Sequence, residues 1–151
     1  MKKKEIIVLG SDHAGFTIKE YIRGILEKRN YPYEDMGVHV KTSADYPDYA
    51  EKVALRVRRM KQGRGILMCS TGIGASIAAN KIRGIRAALV HSAREARLSV
   101  EHNNANILVL GGRSFKREKV KRIITTWLTS KFKGGRHTRR IDKITKLEKR
   151  Y

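Results

Sequence analysis

Short apolar runs alternate with stretches of helical period along the whole chain. Residues 5–10 (EIIVLG) form a β-branched run of the kind buried on both faces of a parallel sheet. After Ser11-Asp12-His13-Ala14-Gly15, apolar positions at Phe16, Ile18, Ile22, Ile25 and Leu26 predict an amphipathic helix. Residues 31–36 read as a second strand. Beyond a loop over 37–46, Pro47 suits the first turn of a helix with Ala50, Val53, Ala54 and Val57 inside.

The alternation continues with a strand over 65–70 (GILMCS), the turn Thr71-Gly72-Ile73-Gly74 and a small-residue helix over 75–81. Strands over 85–90 and 106–110 flank a helix over 93–101. The next helix carries Val120, Ile123, Ile124, Trp127 and Leu128. Gly134-Gly135 then precedes a basic helix over about 136–150, with Ile141, Ile144 and Leu147 at helical spacing. No repeat, linker or second core interrupts the pattern, so residues 1–151 form one domain. Strand–helix alternation predicts a three-layer α/β/α, Rossmann-like fold with right-handed crossovers and a C-terminal helical extension.

In such a sheet, functional groups gather beyond the carboxyl ends of the strands. The first strand delivers Asp12 and His13 there, the third delivers Cys69, Ser70 and Thr71, and the fifth is followed by Arg113. His102-Asn103-Asn104 precedes the fifth strand at a helix end, so it need not share that edge within one subunit.

Composition narrows the function classes. The 151 residues suffice for a true core, and 40% hydrophobic content with two prolines excludes general disorder. No apolar run reaches membrane-span length, and none near Met1 suits a signal peptide. The single cysteine, Cys69, excludes an internal disulfide and fits a reducing cytoplasm. Net charge is +20, with 15 basic and 3 acidic residues over 113–151. That excess invites a nucleic-acid or other polyanion reading. No recognition aromatics, zinc-finger spacing or arginine tract accompany it, which makes a nucleic-acid partner a poor expectation.

Individual motifs leave alternatives open. The two-glycine turn after Cys69 lacks Walker and full dinucleotide spacing, yet its N–H groups suit an anion. Cys69 reads as a small buried hydrophobe, or as a base or nucleophile supported by the following helix. Asp12 beside His13 suits acid–base work or, equally, a helix cap. His102 sits where a helix C-terminus favours a cation. His39, His91 and His137 read as ordinary polar positions, and histidine spacing predicts no metal. Arg113, Arg136, Arg139 and Arg140 match a phosphomonoester or a solvated charge run.

Read together, the blocks resemble the type B ribose-5-phosphate isomerases, whose wider family includes allose-6-phosphate and galactose-6-phosphate isomerases. The matching residues are Gly10 to Phe16, Asp45-Tyr46-Pro47-Asp48-Tyr49-Ala50, Cys69 to Gly74, and Ala78-Ala79-Asn80-Lys81. Gly84-Ile85-Arg86-Ala87, His102 to Asn106 and Gly134-Gly135-Arg136-His137 continue the match in family order over nearly the whole chain.

The resemblance implies a five-stranded parallel sheet of order 2-1-3-5-4 in a homodimer or homotetramer with shared active sites. It implies an aldose–ketose isomerase that converts D-ribose 5-phosphate to D-ribulose 5-phosphate through an enediolate, without cofactor or metal, in the pentose phosphate pathway. By position, Cys69 is the proton acceptor and Thr71 stabilises the enediolate. His102 opens the ring as proton donor with help from Asp12. Asp12, His13, Ser70, Thr71, Gly72, Ile73, Gly74 and Asn103 bind substrate, and Arg113, Arg136 and Arg140 hold phosphate. The C-terminal helix is expected to pack on the partner subunit. One family branch places a glutamate after the second loop glycine. Here that position is Ala75, which matches the cysteine branch.

Three rivals follow. A six-carbon 6-phosphate substrate keeps the chemistry, a polyanion binder on the same scaffold keeps only the charge, and a thiol-redox role lacks a resolving cysteine.

Overall fold

Five strands pair in parallel, the three central ones apolar and buried, and the helices cover both faces. The computed structural model describes residues 3–113 and 116–151. The strands are β1 (Ile7–Ser11), β2 (Tyr33–Asp35), β3 (Arg64–Cys69), β4 (Ala87–Leu89) and β5 (Ile107–Gly111). They form one sheet of order β2-β1-β3-β5-β4, as expected, with Ile7 opposite Arg64 and Cys69 opposite Gly111.

The helices are α1 (Phe16–Lys28), α2 (Tyr46–Arg59), α3 (Ile73–Ala79), α4 (Ala93–Asn103), α5 (Arg117–Thr129) and α6 (Arg136–Arg150). Helices α1 to α5 cover the sheet through the apolar residues that predicted them, while α6 packs against α4. One core layer joins Ile18, Ile22 and Leu26 of α1 with Val100 of α4 and Ile123, Ile124 and Trp127 of α5. The other joins Ala50, Val53, Ala54 and Val57 of α2 with Ala75 and Ala79 of α3. Complete burial of an Ile or Leu side chain contributes roughly 1.5–3 kcal/mol, so these stripes hold the layers in place.

Several boundaries move for local reasons. The glycine turn starts α3 at Ile73, two residues before the expected start, because Gly72 adopts φ +80 and turns the chain at once. Helix α4 runs on to Asn103 and ends where Asn104 takes the left-handed conformation, φ 47. Asp12 does not cap α1 directly. Gly15 is the N-cap, and Asp12 Oδ1 accepts the Gly15 N–H at 3.0 Å, closing the turn before the helix. On α6 the expected apolar stripe is covered only in part: Ile141 is buried, whereas Ile144 and Leu147 are 40% and 52% exposed. No helix among the described residues is long and apolar enough to cross a membrane.

Candidate active site

Strand β3 carries its last residue, Cys69, to the carboxyl edge and buries it to 3% exposure. The chain then reverses through Ser70 and Thr71. Gly72 at positive φ directs its N–H back to Cys69 Sγ at 3.1 Å. A Cβ at position 72 would stand 2.5 Å from Leu89 Cδ1, so both the turn and the packing require glycine. That N–H supports negative charge developing on sulfur. Thr71 Oγ1 accepts the Ile73 N–H at 3.2 Å, which sets its hydroxyl beside the first turn of α3. The Tyr46 ring lies against Gly74, where a side chain would clash with it.

Neighbouring strands fix the rest of this edge. Gly112 donates its N–H to Cys69 O at 2.8 Å, and Arg113 donates to Ser70 O at 2.9 Å. The backbone of Arg113 is thereby attached to the cysteine loop, while its side chain is exposed. Asp12, 6% exposed, follows β1 and donates its N–H to Met68 O at 3.3 Å. His13 Nδ1 lies 3.1 Å from the Ala44 N–H, which ties the 37–45 loop to this edge. Asp12, His13, Ser70, Thr71, Gly72, Ile73, Gly74, Cys69 and Arg113 therefore share one rim.

His102, Asn103, Arg136 and Arg140 do not. Helix α4 runs antiparallel to the strands and ends at the opposite edge, where Gly65 donates to Asn106 O at 2.8 Å. The four steps along the strand from Gly65 to Cys69 span about 13 Å, so His102 and Cys69 face different ends of the sheet. Helix α5 likewise returns to the amino edge, where Arg64 at the start of β3 donates to Leu128 O at 3.3 Å. The Gly134-Gly135 turn, both residues at positive φ, then starts α6 beside the end of α4. Lys133 fastens the two together. Its N–H donates to Glu101 O at 3.1 Å and its ammonium reaches Glu101 at 3.0 Å, holding that carboxyl below the usual range.

Here the rings of His102 and His137 stack, with centroids 4.2 Å apart and planes 12° apart. Burial pushes the pKa of His137 down, and the charges of His102, Arg136, Arg140 and Lys133 push it further. His137 is thus not the ordinary polar residue that its sequence position suggests. Its one usable signal is adjacency to Arg136, because the stack joins residues far apart in sequence.

A second network has no local signal in the sequence. Lys19 of α1 is fully buried, with Nζ 2.5 Å from Asp35 and 3.2 Å from Glu20. Asp35 in turn accepts the Gly37 N–H at 2.9 Å, and Ser11 donates its N–H to Gly37 O at 2.7 Å. The buried ammonium thus anchors the strand end from which Asp12 and His13 project. Among the described residues, no group of three or more His, Cys, Asp or Glu side chains is arranged to hold a metal ion.

Known proteins share this architecture. The sequence signature of the Ribose/Galactose Isomerase family matches residues 7–144. Ribose-5-phosphate isomerase B of Escherichia coli (strain K12) is 43% identical over 150 residues, covering 99% of both chains. A putative sugar phosphate isomerase of Bacillus subtilis (strain 168) is 43% identical over 145 residues, 95% of this chain and 97% of the other. The ribose-5-phosphate isomerase B structure from Clostridium thermocellum superposes with a TM-score of 0.94 at 48% identity, covering 97% of this chain and 99% of that one. The Mycoplasma genitalium enzyme, solved with bound ribulose 5-phosphate, gives 0.94 at 39% identity over 99% and 100% of the two chains. Fold and sequence together define a sugar isomerase of the parallel α/β type. The chain belongs to the ribose/galactose isomerase family.

Proposed function

We propose that this protein interconverts D-ribose 5-phosphate and D-ribulose 5-phosphate, with Cys69 moving the proton. The observation that carries this reading is the buried Cys69 sulfur with the Gly72 N–H aimed at it from a glycine turn, in a chain 43% identical to ribose-5-phosphate isomerase B over nearly its full length.

Isomerisation begins with a cyclic sugar. His102 gives a proton to the ring oxygen while Asp12 accepts the anomeric hydroxyl proton, and the C1–ring oxygen bond breaks to leave an open aldehyde. The Cys69 thiolate then takes the proton from C2. Electron density moves onto O1, where the Thr71 hydroxyl and the backbone N–H groups of the 70–74 loop supply preorganised donors. The Cys69 thiol returns its proton to C1 while the O2 proton passes to O1, which leaves a hydroxyl at C1 and the ketone at C2. A thiolate suits this task because the carbon acid is weak and the base must touch it in a site closed to water.

Asp12, His13 and Asn103 take the sugar hydroxyls, and Arg113, Arg136 and Arg140 take the phosphate, which arginine forks match in two-pronged fashion. One chain holds these groups on opposite edges of its sheet. The working unit is therefore a homodimer, or a tetramer of such pairs, in which His102, Asn103, Arg136 and Arg140 of one copy face Cys69 of the other. The half-exposed Ile144 and Leu147 on α6 suit the same contact. Cys69 as a lone, buried thiol fits a reducing cytoplasm.

The decisive assay compares kcat/KM for ribose 5-phosphate, allose 6-phosphate and galactose 6-phosphate. The five-carbon sugar is expected to lead by at least about tenfold, since an extra hydroxymethylene displaces the phosphate from its arginines. A six-carbon substrate leading by that margin overturns the pentose assignment and leaves the chemistry standing.

A further inference from the structure

The stacked histidines carry an inference beyond the roles named above, and it rests on the isomerase reading. We infer that His137 is a positioning residue for His102: its buried ring fixes the plane of the ring-opening imidazole and aims it out of the subunit.

The geometry makes this specific. His102 lies in the last turn of α4, a half-buried position from which an unsupported ring has several rotamers. His137, 7% exposed, has no such freedom. It is the second residue of α6, its N–H donates to Gly134 O at 3.1 Å, and the Lys133–Glu101 pair holds the start of that helix against α4. One face of His102 is thus covered at 4.2 Å by a nearly parallel ring. A proton donor gains from such support because proton transfer needs hydrogen-bond distance to one atom of the substrate.

Charge favours the same division of labour. The groups around the pair are Arg97 and Glu101 on α4, Lys133 on the connecting loop, and Arg136 and Arg140 on α6. In that mostly cationic surrounding, two adjacent imidazolium rings repel. Burial works against a charge on the His137 ring. A neutral aromatic face can lie against His102 whether or not His102 bears its proton. Arg136 and Arg140 flank His137 on the same helix, so one short segment sets both the phosphate grip and the attitude of the acid.

The test uses the full-length assembled enzyme with His137→Ala, His137→Phe and His102→Ala. Two rates are read: conversion of cyclic ribose 5-phosphate, and exchange of the C1 proton of ribulose 5-phosphate with deuterated water. Exchange needs the base and the oxyanion donors but no ring opening. His137→Ala is expected to lose between about 10- and 100-fold in kcat for conversion, with a much smaller loss in exchange. His137→Phe, which keeps a flat neutral ring in the same space, is expected to recover most of that loss. Conversion by His137→Ala at the wild-type rate overturns the inference. So does a loss confined to KM, or a His137→Phe enzyme as slow as His137→Ala. Failure of the underlying reading looks different, because then His102→Ala itself converts the cyclic sugar normally.

Discussion

Gly72 donates its backbone N–H to the Cys69 sulfur at 3.1 Å, and only a residue tolerating φ +80 can do so from that turn. The donor and the thiol form one device, since the same three-residue reversal that follows the buried cysteine also supplies its hydrogen bond. Gly72→Ala forces a Cβ toward Leu89 and strains the left-handed backbone. The expected outcome is a loss of more than about 1 kcal/mol in stability, together with a fall in kcat exceeding any change in KM. Chemical denaturation and steady-state kinetics on the same preparation check it.

The two half-sites make a prediction about mixtures. Cys69→Ala and His102→Ala are each expected to fail to convert cyclic ribose 5-phosphate alone, because each spoils every site of a homodimer. After unfolding and refolding together in equal amounts, half of the dimers are hybrid and each hybrid has one intact site. Activity is then expected to return to about a quarter of the wild-type value. No recovery from a mixture that has demonstrably exchanged subunits contradicts the shared site.

Lys19 offers a test of stability remote from the reaction. Its ammonium is wholly buried between Asp35 and Glu20, so Lys19→Met leaves the Asp35 carboxylate without its cation. Removing one partner of a buried pair costs about 3–5 kcal/mol. The melting temperature is expected to fall by about 6 °C or more. Because Asp35 also holds the Gly37 N–H next to Ser11, KM is expected to rise as well.

His137 gives the fold a dependence on pH whose sign is fixed. Its pKa in the folded chain is below the ordinary value of 6.5, so the unfolded chain binds a proton that the folded chain refuses. The stabilisation is complete above pH 6.5 and is lost as pH falls through the lower, folded value. Stability measured by denaturant at successive pH values is expected to decline over that window. His137→Phe is expected to flatten the decline.

Much of this was legible in the sequence, for identifiable reasons. Apolar runs and helical stripes such as Ala50, Val53, Ala54 and Val57 specify layers directly, because each stripe has only one face to bury. The carboxyl-edge residues could be placed from chain order alone, since each follows its strand. What lay hidden was pairing across distance. Neither the stack of His102 on His137 nor the pairing of Lys19 with Asp35 leaves a local spacing to read. The partly exposed stripe on α6 shows the opposite limit: periodicity announces an apolar face without saying whether the same chain covers it. The large positive charge leaves no such signal either, since a solvated basic run and a phosphate grip use the same residue types.

The central claim is that the Cys69 sulfur moves the proton between C2 and C1. Exchange of the C1 proton of ribulose 5-phosphate into deuterated water, followed by NMR for the wild type and for Cys69→Ala, tests that step apart from ring opening. The wild type is expected to exchange and convert the sugar, while Cys69→Ala binds ribulose 5-phosphate with little change and loses exchange by at least about 1,000-fold. Exchange by Cys69→Ala at a rate near the wild type would contradict the account.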